Sequence, residues 1–100
     1  MALTIVFSDQ FYESLGHILT FFDERNGSTD YSKKLVRRFI KRIMLLSEQP
    51  QIWALTDVEN VRLLFVDKYA IEYVITETDV VVLDIFSCQT NPAKRFFKKL

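Results

Sequence analysis

Val61-Arg62-Leu63-Leu64-Phe65-Val66-Asp67-Lys68-Tyr69-Ala70-Ile71-Glu72-Tyr73-Val74-Ile75 carries the clearest structural signal in the chain. Two runs rich in β-branched and aromatic residues flank a two-residue break, Asp67-Lys68, which is how a tight β-hairpin reads. Side chains alternate along a strand with a period of two, so pairing Val66 with Tyr69 fixes every other pair. Arg62 then lies opposite Tyr73 and shares a face with Leu64, Val66, Tyr69, Ile71 and Ile75. Thr76–Asp79 makes a second turn and Val80–Phe86 a third strand. Residues 61–92 therefore read as a three-stranded antiparallel meander. Val80-Val81-Val82-Leu83 is apolar on both faces and is expected to be its central, doubly covered strand.

Upstream of the meander the spacing changes from two to three and four. Leu35, Val36, Phe39, Ile40, Ile43, Met44 and Leu46 recur at helical intervals. Lys33, Lys34, Arg37, Arg38, Lys41 and Arg42 fall between them, on the opposite face. Thr29 or Asp30 can cap this helix, and Pro50 stops it. Before it, Phe11, Leu15, Ile18, Leu19 and Phe22 mark another helix, with Ser8-Asp9 as its N-terminal cap. Asn26-Gly27-Ser28 ends that helix, because glycine is the preferred residue just past a helix C-terminus. Two helices joined by so short a loop form an antiparallel hairpin. Leu3–Phe7 reads as a strand, and a short edge strand is expected around Ile52-Trp53-Ala54-Leu55. The pattern predicts one α+β domain over residues 1–100. It runs from an N-terminal strand through a helical hairpin to the meander, then a short basic tail or helix at Ala93–Leu100.

Composition agrees. Nine Phe and four Tyr in 100 residues, with only two Gly and two Pro, describe a packed domain with little linker. Cys88 is the single cysteine, so no internal disulfide is possible and a reducing compartment is expected. Met1-Ala2-Leu3-Thr4 does not read as a secretory signal, and no apolar run is long enough to span a membrane. Charges cancel overall but are segregated along the chain. The second helix and the tail (Lys94, Arg95, Lys98, Lys99) are basic, whereas the first helix and the strands are acidic. Segregation of this kind suits a polyanion or an acidic partner on selected faces.

Pro50, Val61-Arg62-Leu63-Leu64-Phe65-Val66, Lys68-Tyr69-Ala70-Ile71-Glu72-Tyr73, Val82-Leu83-Asp84-Ile85-Phe86 and Asn91-Pro92, in that order, resemble the RelE/ParE superfamily of bacterial toxins. The likeness covers almost the whole chain. It implies the toxin half of a type II toxin–antitoxin module, of the kind linked to plasmid stabilization and growth inhibition. The implied toxin is cytoplasmic and is neutralised by a small antitoxin that wraps it with an extended, often helical segment. RelE-like members cut mRNA in the ribosomal A site, and ParE-like members poison DNA gyrase without cutting anything. No cofactor or metal is implied, and a homodimer is open.

The resemblance makes Arg62 a candidate catalytic residue, since a guanidinium fork suits a phosphate in a metal-independent endoribonuclease. The bland alternative is a structural arginine stacked on Tyr73 or paired with a carboxylate. Tyr69, Tyr73, Gln89, Asn91, Lys94 and Arg95 are candidate target- or RNA-binding residues, and Lys34, Arg38 and Arg42 a basic helix face. Elsewhere the chain departs from the RelE pattern. Ala70 stands where an arginine is expected, Gln89 near where another is usual, and Phe96-Phe97 where a tyrosine would move a proton. Phenylalanine has no hydroxyl, and losing several members of a set that acts together removes most of a rate. The departure favours a ParE-like inhibitor of a target. The alternatives are a RelE-type nuclease and an inactive relative that only binds its antitoxin. His17 is expected to be exposed and without chemistry, and Asp84 to be hydrogen-bonded to backbone or an arginine.

Overall fold

The computed structural model describes residues 3–49, 54–55 and 60–88. Its elements are β1 (Thr4–Phe7), α1 (Asp9–Asn26), α2 (Asp30–Met44), a 3₁₀ turn (Leu45–Ser47), β2 (Ala54–Leu55), β3 (Val61–Val66), β4 (Tyr69–Ile75) and β5 (Asp79–Ser87). The strands form one sheet in the order β1-β5-β4-β3-β2. The meander has the expected register, with Val66 on Tyr69 and Arg62 on Tyr73. β1 adds to it in parallel, pairing Thr4–Phe7 with Asp79–Val82. The middle strand of the five is therefore β4, not the Val80–Leu83 run, which lies between β1 and β4. Pro50, Ile52, Trp53 and the segment 89–100, with its expected C-terminal helix, lie outside the described residues.

Both helices pack on one face of the sheet. Phe11, Leu35, Phe39, Ile43 and Leu46 from the helical side meet Leu64, Val66, Ile71, Tyr73, Val80, Val82 and Ile85 from the strands, all of them buried. Burying each such side chain contributes about 1.5–3 kcal/mol. α1 begins at Ser8, whose hydroxyl accepts from the Phe11 amide at 3.1 Å. It ends at Gly27, whose φ of 66° no β-carbon favours and whose amide donates to the Asp23 carbonyl. Thr29 precedes α2 but makes no side-chain cap. Ser28 Oγ accepts from the Asp30 amide instead, at 3.1 Å. α2 gives way to the 3₁₀ turn after Met44, before Pro50 is reached. Ser32, a polar residue among the core positions of α2, is buried. Its hydroxyl lies 2.5 Å from Asp23 Oδ1 and 3.2 Å from the Leu19 carbonyl, which ties α2 to α1.

β5 contains a bulge. Tyr73 pairs with Val82 and Glu72 with Asp84, so Leu83 is an extra residue with no partner on β4. Val80 and Val82 face the helices, and strict alternation would send Asp84 in after them. The extra residue shifts the phase. Ile85 joins the core in its place, and Asp84 turns to the far face opposite Glu72. Ser8 closes the bulge: its amide donates to the Val82 carbonyl at 3.0 Å and its hydroxyl to the Leu83 carbonyl at 2.6 Å.

Candidate functional site

The two faces of the sheet carry different chemistry. Arg62 lies on the helix-side face, half-buried, opposite Tyr73 on β4 and Leu55 on β2. Tyr73 is fully buried in the core, with none of its surface open to solvent. Tyr69 is half-buried at the start of β4, with its ring edge-on to Phe39 at 5.4 Å between centroids. Burial pushes its hydroxyl above the ordinary value of 10.0, helped by Tyr31 and the Asp67 carboxylate.

The far face holds a small apolar cluster of Leu63, Ala70 and Phe86, with Phe65 and Cys88 beside it. Ala70, opposite Phe65, is fully buried there. Arg62 and Ala70 therefore lie on opposite faces of one sheet. Glu72 and Asp84 sit directly opposite each other on this face, only 4% and 6% exposed. Asp84 Oδ1 accepts from the Ile85 amide at 2.8 Å, the backbone partner expected of it. Burial raises the Cys88 thiol above its ordinary value, which makes it a poor nucleophile near neutral pH.

On α2, the basic side chains divide. Lys33, Lys34, Arg37 and Lys41 are exposed. Arg38 forms an ion pair with Asp67 in the β3–β4 turn, with both partners about half exposed. An exposed pair of this kind contributes about 0–1 kcal/mol. Arg42 is half-buried and has a partner of its own. Gln89, Asn91, Lys94 and Arg95 lie outside the described residues.

The structure adds a groove of about 500 Å³ that the helical spacing does not reveal. One wall is a second stripe of α1: His17, Ile18, Phe21, Phe22 and Arg25. The other wall is Lys68, Tyr69 and Ser87, from the β3–β4 turn and the end of β5. Phe21 is 54% exposed, and the Arg25 guanidinium lies 6.0 Å from its ring centroid. The core series Phe11, Leu15, Ile18, Leu19, Phe22 leaves Phe21 out. The doubled Phe21-Phe22 hints that the apolar face of α1 extends past the core series to Phe21. His17 is exposed on this wall. Among the described residues, no group of His, Cys, Asp or Glu could hold a metal ion. No described helix is long and apolar enough to cross a membrane.

No protein-family model matches the sequence, and no curated protein does. The three-dimensional likeness is clear. A chain from the chromosomal ParDE TA system from P. aeruginosa superposes with a TM-score of 0.76 at 13% identity, over 86% of this chain and 96% of that one. The fold is RelE/ParE-like. At this identity it is the fold that is shared. The two chains share the fold with few of the same side chains, so the groove and the basic row have to be read from this chain's own residues.

Proposed function

We propose that this chain is the toxin component of a type II toxin–antitoxin module, and that it acts in the cytoplasm by binding and inhibiting a macromolecular target. A cognate antitoxin would be its protein partner, and DNA gyrase is the target that the sequence resemblance suggests. The fold likeness supports the module. The observation that carries inhibition over RNA cleavage is the placement of Ala70. The β4 position where a RelE-like nuclease would present an arginine is a fully buried alanine among Leu63 and Phe86. Arg62 is on the other side of the sheet. Cleavage without a metal needs several cationic groups converging on one phosphate, and these two positions cannot converge. The exposed row Lys33, Lys34, Arg37 and Lys41, together with Tyr69, is the surface we assign to the target.

The test is to induce the chain alone in bacteria and follow growth, mRNA integrity and DNA supercoiling together. The expected result is growth arrest with intact mRNA and altered supercoiling, and Arg62→Ala leaves the mRNA pattern unchanged. Rapid ribosome-dependent mRNA cleavage that Arg62→Ala abolishes would overturn inhibition in favour of a nuclease. Harmless expression of a folded chain would leave only an interaction module.

A further inference from the structure

Apart from Tyr69 at its edge, the groove beside α1 has no part in the proposed target surface. Its lining is largely apolar, with Ile18, Phe21, Phe22 and Tyr69. Arg25 from α1 and Lys68 from the β3–β4 turn add positive charge, and none of the lining residues is acidic. The carboxylate nearest Lys68 in sequence, Asp67, is already engaged by Arg38. Asp67 therefore does not compete for Lys68. A phenylalanine more than half exposed on a helix, beside a groove of this size, is the pattern of an apolar anchor site awaiting an occupant.

We propose that this groove docks an acidic peptide segment, which seats an apolar side chain on Phe21 and Tyr69 and sets carboxylates against Arg25 and Lys68. Charge selects the occupant. The chain's own tail, Lys94-Arg95-Phe96-Phe97-Lys98-Lys99, has the aromatics but the wrong sign. A nucleic acid would find more cations on the exposed row of α2, where Lys33, Lys34, Arg37 and Lys41 stand close together along one helix. A mixed apolar and acidic segment satisfies both halves of the groove at once. The inference rests on the reading that the chain has a protein partner, and it assigns that partner's contact.

The experiment is a fluorescence-anisotropy titration of the purified chain with a labelled 16-residue peptide. In this probe Leu recurs at three and four residues and the remaining positions are Glu and Gln. The same peptide with Lys for Glu, a peptide of residues 89–100, and a single-stranded 16-mer oligonucleotide run in parallel. The acidic peptide is expected to bind with saturation and to weaken as salt rises. Phe21→Ala, whose site is exposed enough to spare the fold, raises Kd about tenfold or more. That factor matches loss of a buried aromatic contact. Arg25→Glu with Lys68→Glu raises it at least as much, and Glu77→Lys, exposed in the β4–β5 turn and outside the groove, leaves it within about twofold. Unchanged binding in the groove variants overturns the proposal. So does preferential binding of the Lys peptide, the tail peptide or the oligonucleotide. Growth arrest is a separate readout. Arrest without groove-dependent binding sinks the groove alone, and groove-dependent binding with harmless expression sinks the toxin reading alone.

Discussion

Ser8→Ala is expected to destabilise the domain by about 2–2.5 kcal/mol, much more than its half-exposed position suggests. The hydroxyl makes two bonds. It accepts from the Phe11 amide at 3.1 Å, as the N-cap of α1, and removing a serine cap costs about 1 kcal/mol. It also donates to the Leu83 carbonyl at 2.6 Å. Losing that bond and leaving a part-buried carbonyl without it costs about 1–1.5 kcal/mol. For a domain of this length the sum lowers Tm by about 10–15 °C. In urea it moves the midpoint by about 1–2 M at an unchanged slope of ~1–2 kcal/mol/M. Equilibrium unfolding followed by circular dichroism reads both. Two further substitutions separate the roles. Ser8→Thr keeps donor and acceptor and stays within about 0.5 kcal/mol of the natural chain. Ser8→Asp keeps the cap and gains from the helix dipole, yet its carboxylate cannot donate to Leu83, so it is expected to lie between alanine and the natural chain. If Ser8→Ala costs less than about 0.5 kcal/mol, or Ser8→Asp restores full stability, the bond to the bulge contributes nothing and the reasoning fails.

Two more outcomes are expected. Tyr69 ionises above the ordinary tyrosine value, so the folded state favours its neutral form. The stability this contributes is present below about pH 10 and is lost as pH rises beyond it, since the unfolded chain gives up that proton first. A titration at 295 nm should show a late component that Tyr69→Phe removes, and a component at the ordinary value would contradict the burial argument. Gly27→Ala meets no atom within 4 Å, so its only cost is the left-handed backbone. That cost is about 1 kcal/mol, and urea unfolding should find a loss of that size rather than the several kcal/mol of a clash.

The meander was legible because its signals are local. The two-residue break at Asp67-Lys68 sets the register, and from it the Arg62–Tyr73 pair follows by counting. The helical hairpin was legible for the same reason, down to the Gly27 cap. What escaped depends on contacts distant in sequence. The run Val80–Leu83 is apolar on every residue and so carries no alternation. Neither the bulge at Leu83 nor the parallel pairing with β1 could be read from it. That Asp84 would turn to the far face, opposite Glu72, could not be read either, because it depends on that bulge. The basic row on α2 was plain, but not that Arg38 would be engaged by Asp67, 29 residues away. Phe21 was hidden because it lies at the edge of the apolar face of α1, one step outside the residues that reach the core. Ser32 was hidden because its partner Asp23 lies on another helix.

The joint between Ser8 and Leu83 also sets a timetable. Its two residues are 75 positions apart, and ribosomes add roughly 5–20 residues per second. The cap of α1 therefore waits roughly 4 to 15 seconds, by that rate, before its second partner has been synthesised. Over that interval the helical hairpin and then the β3–β4 hairpin can form from neighbours in sequence, while β1 has nothing to pair with. The domain closes when β5 emerges, and an incomplete chain cannot borrow stability from a strand it does not yet have. Pulse-labelled hydrogen exchange on stalled nascent chains should find the β1 amides unprotected until β5 has cleared the exit tunnel.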